Sequence, residues 1–89
     1  MAVGVIFRGP DVTEEQFHQV RAQLETAIDP PPGRLWHAAG VHGQGLHVME
    51  VWDSEEAAQQ FFDDRLSRAM QDANMTAERD VFPLISTLP

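Results

Sequence analysis

Residues 45–62 have the sequence GLHVMEVWDSEEAAQQFF, in which a strand pattern is followed directly by a helix pattern. Apolar and β-branched residues between Gly45 and Trp52 predict the strand. Ser54 is a suitable N-cap, and the two glutamates after it favour the first turn of a helix. Apolar residues then recur at helical spacing and predict that this helix ends near residue 71 or 72: Ala58, Phe61, Phe62, Leu66, Ala69 and Met70.

The N-terminal part of the chain has the same order of strand and helix. Ala2–Arg8 is short and apolar and predicts a first strand that ends at a glycine-proline pair. Thr13 and Gln16 match a capping box and predict a helix that runs to about Ala27. Spacings of three and four residues predict the buried face of this helix: Phe17, Val20, Leu24 and Ile28.

A proline-rich connector, residues 29–33 (DPPPG), leads into two further strand patterns. Arg34–Gly40 and Gly45–Trp52 flank Val41–Gln44, a glycine-containing connection of hairpin length. A last strand is predicted over Asp80–Leu88, and Pro83 restricts it to an edge or bulge position. The order β-α-β-β-α-β is that of ferredoxin-like α+β folds with an antiparallel four-stranded sheet, here in one domain spanning residues 1–89.

Apolar residues occur on both faces of the predicted sheet. In the first strand Phe7 alternates with Ile6, and in the third strand Val48 alternates with Met49. Two helices cover only one face, so the second face needs another cover. We expect a homodimer in which two sheets stack about a two-fold axis, with Trp36 at the interface.

The composition excludes several classes of protein. Fourteen acidic residues against six basic ones give a net charge of −8, which repels nucleic acids and anionic lipids. No apolar run approaches the roughly 20 residues of a membrane span, and no secretory signal pattern is present, so we expect a cytoplasmic location. The chain contains no Cys, Tyr or Lys, which removes thiolate, phenol and Schiff-base chemistry.

Three stretches resemble the antibiotic-biosynthesis-monooxygenase-like family of small dimeric α+β barrel proteins. They are Val3–Phe7 with the glycine-proline pair after it, Pro31–Gly33 with His37–Gly40, and Gly45–Phe62. Within the last stretch, residues 50–57 (EVWDSEEA) are similar to the family's strand-to-helix signature. The resemblance implies a homodimeric tailoring enzyme of the monooxygenase, cyclase or isomerase type, which acts on an aromatic or polyketide-like molecule without a metal or organic cofactor.

The chain lacks the residues that are associated with two activities of this superfamily. Members that degrade haem have an Asn on the first strand and a Trp with a nearby His in the second helix, where this chain has Phe61 and Phe62. Members that form quinones without a cofactor are associated with Asn, Trp and Tyr in the pocket, and the single Asn here, Asn74, lies in a predicted loop. Haem degradation is therefore disfavoured, and the quinone-forming residues do not transfer position by position.

His37 and Glu50 are the residues that we expect to carry catalysis. A turn at Val41–Gln44 would place His37 opposite Val48, with Glu50 as a diagonal neighbour on the same face. A carboxylate beside an imidazole among aromatic walls can orient the ring and form a proton-transfer couple. The alternative is a structural hydrogen bond that stabilises the sheet or the dimer interface.

A histidine metal site is the competing interpretation, because His37, His42 and His47 are spaced by five residues. If the register slipped by one residue, so that the numbers of paired residues sum to 84 instead of 85, His37 would lie opposite His47 and both could bind a metal ion. The favoured register separates these two residues, and His42 is predicted to lie in the turn. No metal site is therefore predicted.

Five further residues are candidates for binding an apolar or aromatic substrate: Trp52, Arg8, Phe61, Phe62 and Met49. Arg8 could bind an anionic group, and the others could line an apolar pocket. The alternatives are core packing for the apolar residues and a pair with an acid for Arg8. The alternative function is a non-catalytic homodimer that binds a small molecule or serves as an accessory subunit.

Overall fold

The elements of the computed structural model, which describes residues 1–25, 30–43 and 45–87, follow the predicted order. Two strand-helix units are joined by a central hairpin. The bounds are β1 (Val3–Gly9), α1 (Glu14–Glu25), β2 (Arg34–His42), β3 (Gly45–Trp52), α2 (Glu55–Phe61), a π-helical segment (Phe62–Leu66), α3 (Ser67–Asp72) and β4 (Glu78–Pro83). The ferredoxin-like fold is confirmed, with α2, the π-helical segment and α3 forming one continuous second helix.

The four strands form one antiparallel sheet in the order β2-β3-β1-β4. The face of this sheet that packs against the helices is the inner face, and the opposite one is the outer face. The core lies between the inner face and the helices, and its largest fully buried side chains are Val5, Leu46, Trp52 and Phe62. The helices therefore cover only one of the two apolar faces.

Both helix starts form as predicted. The Gln16 N–H donates to Thr13 Oγ1 over 3.1 Å and the Thr13 N–H donates to Gln16 Oε1 over 2.9 Å, which completes the capping box. Ser54 Oγ accepts a hydrogen bond from the Ala57 N–H over 3.1 Å. The predicted end of α1 and the predicted packing of Ile28 lie outside the described residues.

The β2–β3 register differs from the predicted one. β2 continues to His42, so the hairpin connection is shorter than the predicted turn. Gly45 has a φ of 101°, a conformation that glycine adopts without strain and that lets the chain reverse close to the ladder. As a result His37 lies directly opposite Glu50, and the prediction that it lies opposite Val48 is wrong.

A β-bulge lies near the start of β2. The pairing with β3 shifts between Arg34 and Trp36, so Leu35 is an extra residue on β2. Arg34 and His37 are three residues apart and would lie on opposite faces of a regular strand. Because of the bulge, Arg34 pairs with the inward-facing Trp52 and shares the inner face with His37.

The last strand, β4, begins and ends earlier than the predicted Asp80–Leu88. The prediction is wrong at its start and over residues 84–87, and Leu88 lies outside the described residues. After Pro83 the Leu84 N–H donates to the Ala2 carbonyl over 3.0 Å, and Ile85 is then fully exposed. The chain thus leaves the sheet at the proline. β4 is an edge strand, as a proline in the strand requires.

The outer face of the sheet carries large exposed apolar side chains. Trp36 is 51% exposed, Met49 is 50% exposed and Phe82 is 39% exposed. Arg8 and Asp80 form an exposed ion pair on the same face, with 3.0 Å between Arg8 Nη1 and Asp80 Oδ2. A single chain therefore leaves this face uncovered, as the alternation of the strands predicts. Within the described ranges, no helix has the length and apolar character needed to cross a membrane.

Candidate active site

Glu50 is the buried centre of the candidate site. It lies on the inner face of β3, is 6% exposed, and is the one charged residue among the buried side chains of the described part of the chain. Its Oε1 accepts a hydrogen bond from the Trp52 indole Nε1–H over 2.9 Å, and its Oε2 lies 2.8 Å from His37 Nδ1. These contacts offset the cost of burying a carboxylate, which is high without hydrogen-bond partners.

The contact with Glu50 determines how His37 presents its ring. An ionised carboxylate only accepts hydrogen bonds, so a neutral His37 donates its Nδ1–H to Glu50 and keeps a lone pair on Nε2. The His37 side chain is 31% exposed and lines the cavity described below. A pair in this arrangement can act as a base, because a fixed carboxylate stabilises the conjugate acid of the imidazole.

Arg34 adds a fixed positive charge to the site and was not among the residues selected from the sequence. Its Nη1 lies 3.8 Å from Glu50 Oε2, within ion-pair range but beyond hydrogen-bond distance, and its side chain is 19% exposed. The only signal in the sequence is that Arg34 follows a turn and precedes His37 by three residues. A spacing of three residues would place Arg34 and His37 on opposite faces of a regular strand, but the bulge places them on the same face.

A cavity of about 370 Å³ lies between the inner face of the sheet and the helices. Its polar lining consists of His37, Glu50 and Arg34 from the sheet and Arg21 from α1. Apolar side chains from both layers form most of the remaining wall, among them Phe7, Phe17, Val48, Phe61, Leu66 and Met70. An apolar pocket with a few convergent polar groups is typical of small-molecule sites, and this volume is near the lower end of their range.

The predicted substrate-binding residues lie in three places. Phe61 lines the cavity. Trp52 and Phe62 are buried in the core, where Trp52 holds Glu50. Arg8 and Met49 lie on the outer face, because their strand neighbours point inward, so the structure does not bring them to the cavity.

The structure does not bring the three strand histidines together. His37 faces inward, whereas His42 and His47 lie on the outer face with their rings stacked 4.4 Å apart. The prediction that His42 lies in the turn is wrong, because β2 extends through it. In residues 1–25, 30–43 and 45–87, no three histidine or acidic side chains lie close enough together to hold a metal ion.

Solved structures with the same fold include antibiotic-biosynthesis-monooxygenase-like proteins. SnoaB, a cofactor-independent oxygenase from Streptomyces nogalater, is 18% identical, with 99% of this chain and 96% of that chain covered and a TM-score of 0.67. A Chloroflexus aurantiacus protein proposed to be an antibiotic biosynthesis monooxygenase is 18% identical over 100% of this chain and 98% of that chain, with a TM-score of 0.69. A dimeric ferredoxin-like protein of unknown function from Thermobifida fusca is 21% identical over 94% of this chain and 92% of that chain, with a TM-score of 0.68.

No protein-family model matches the chain, and no curated protein matches its sequence. The likeness to solved structures extends over nearly the whole chain and shows an antibiotic-biosynthesis-monooxygenase-like fold, which the resemblance in the sequence also implied. At this level of identity the likeness concerns the fold alone. The activity has to be argued from the residues of the site.

Proposed function

We propose that this protein is a small cofactor-independent enzyme that removes a proton from an apolar or aromatic molecule bound in the cavity. The observation that carries the proposal is the 2.8 Å contact between His37 Nδ1 and the buried Glu50 at the cavity wall. The description of SnoaB, which has the same fold, as a cofactor-independent oxygenase supports this class of activity.

In the proposed step, His37 Nε2 takes a proton from an acidic C–H or O–H group of the substrate. The bond to that hydrogen breaks, the electron pair stays on the substrate as an enolate or phenolate, and Glu50 stabilises the imidazolium. Reaction of this anion with molecular oxygen, ring closure, or return of the proton to another carbon gives a monooxygenase, a cyclase or an isomerase. The same proton transfer is thus the first step of all three reaction types.

Hydrogen exchange on an enolisable ketone tests this step without knowledge of the natural substrate. β-Tetralone, a bicyclic ketone, exchanges its acidic hydrogens for deuterium in heavy water. We expect the protein to accelerate this exchange, measured by proton NMR, and His37→Ala to reduce the acceleration by about a hundredfold or more. His18→Ala removes an exposed histidine of α1 and is the matched control, which should retain wild-type exchange.

Two outcomes of this experiment would count against the proposed activity. Equal exchange by the wild-type protein and His37→Ala would show that His37 is not the base. Binding of β-tetralone without any exchange that depends on His37 would favour the alternative function, a non-catalytic protein that binds small molecules in the same cavity.

We propose further that two chains assemble through the outer faces of their sheets. Trp36 and Met49 are both about half exposed on this face. Exposed apolar patches of this kind mark interaction surfaces, and a two-fold axis allows the same patch to pair with itself. The dimeric Thermobifida fusca protein, which has the same fold, supports this assembly.

Met49→Arg is expected to convert the dimer into a monomer, as measured by sedimentation velocity. Met49 lies on β3, one of the two central strands of the sheet. In the dimer the new guanidinium would be buried without a partner and near the same guanidinium of the second chain. Gln71→Arg adds the same charge on the exposed surface of α3 and should leave the dimer intact. A monomeric wild-type protein, or a Met49→Arg variant that stays dimeric, would contradict this assembly.

A further inference from the structure

Arg34 is a cavity residue whose position depends on an irregularity of the fold. If β2 alternated regularly through Leu35, Arg34 would lie on the outer face of the strand. The turn before it is closely packed: Gly33 has a φ of 91°, and a Cβ at Gly33 would lie 2.8 Å from the Cβ of Ala57. Bulges often lie beside active sites, where they redirect a side chain. The fold therefore directs the Arg34 guanidinium into the cavity, whose other polar lining consists of His37, Glu50 and Arg21.

The two close contacts of the Glu50 carboxylate come from residues other than Arg34. Trp52 and His37 contact the two carboxylate oxygens at 2.9 Å and 2.8 Å, whereas Arg34 Nη1 lies 3.8 Å from Oε2. A guanidinium has five N–H donors in a planar fork that suits carboxylate and other oxyanion geometry. Arg34 can therefore donate to a ligand oxygen while it remains in ion-pair range of Glu50.

We infer that Arg34 binds the acidic oxygen of the ligand, which is therefore an apolar or aromatic oxygen acid such as a phenol, an enol or an aromatic carboxylic acid. This inference rests on the proposed use of the cavity as a substrate site. With an anionic ligand oxygen beside Arg34, each charge in the site has an opposite charge next to it. The His37 imidazolium then pairs with Glu50, and the ligand oxygen pairs with Arg34. Arg34 is then the residue that selects the substrate class, while His37 is the base.

Two probes of the same shape that differ in charge test the inference. β-Naphthoate is an anion near neutral pH, and β-naphthamide is its neutral counterpart. We expect isothermal titration calorimetry to show that the wild-type protein binds β-naphthoate about ten- to a hundredfold more tightly. Arg34→Gln should remove this preference by weakening only β-naphthoate, and Arg68→Gln, an exposed position on α3, should keep it.

Arg34→Lys retains the positive charge beside Glu50 and keeps the test decisive if Arg34→Gln fails to fold. It should still prefer β-naphthoate, by a smaller factor, because an ammonium lacks the planar fork. Equal affinity of the wild-type protein for the two probes would overturn the assignment of Arg34, and exchange on β-tetralone that depends on His37 would then still support the proposed activity. Binding of neither probe would also overturn the assignment of Arg34, and exchange on β-tetralone would again test the proposed activity separately.

Discussion

Glu50→Gln is expected to reduce the proton exchange that depends on His37 by about a hundredfold, nearly as much as the loss of His37 itself. Glutamine can keep the hydrogen bond from Trp52 Nε1–H through its carbonyl oxygen, but it then presents an amide N–H to His37. The imidazole has to accept this bond at Nδ1 and carry its own proton on Nε2. The lone pair is thereby lost from Nε2, the atom proposed to take the proton of the substrate, although the side chain at position 50 keeps its size.

Exchange on β-tetralone and nitrogen NMR of the His37 ring measure the two parts of this prediction. We expect the ring proton on Nδ1 in the wild-type protein and on Nε2 in Glu50→Gln. Glu56→Gln, an exposed acid in the first turn of α2, is the matched control and should change neither quantity. A Glu50→Gln variant with wild-type exchange would mean that the contact with His37 is a structural hydrogen bond of the sheet.

The sequence predicts that His37 and Glu50 share a face of the sheet, but it does not predict that they lie directly opposite each other. The alternation of apolar residues assigns side chains to faces. Registers that differ by a slip of two residues all keep this pair on one face. The length of the β2–β3 connection decides between these registers, and its glycines allow more than one length. The contact of 2.8 Å therefore follows from the turn rather than from the strand pattern.

The bulge explains why Arg34 is absent from the predicted site while Arg8 is present in it. Leu35 and Trp36 are both apolar, so their pattern does not reveal that Leu35 is the extra residue. The outward position of Arg8 follows from the alternation of side chains along β1, since its neighbour Phe7 is buried in the core. This alternation predicts which face of the sheet a charged residue occupies on a regular strand, and the prediction fails where a bulge interrupts the strand.

Phe62→Ala is expected to lower the free energy of unfolding by about 3–5 kcal/mol, as measured by chemical denaturation. Phe62 is 2% exposed, and its ring packs edge-on against Phe7 with 5.4 Å between the centroids and against Trp52 with 6.2 Å. Arg79 on β4 also lies over this ring, with its Cζ 4.2 Å from the centroid. Small domains have total stabilities of about 5–15 kcal/mol, so the variant would lose a large share of its stability.

Phe61→Ala is the matched comparison, because it removes the same side chain from the adjacent residue. Phe61 is half-buried and lines the cavity, and its ring lies 5.4 Å from that of Trp52. We expect a smaller loss of stability and weaker binding of β-tetralone, because the lost ring belongs to the cavity wall. If Phe62→Ala instead kept wild-type stability and weakened binding, Phe62 would be a substrate-binding residue, and the boundary between core and cavity would lie one residue further along the helix.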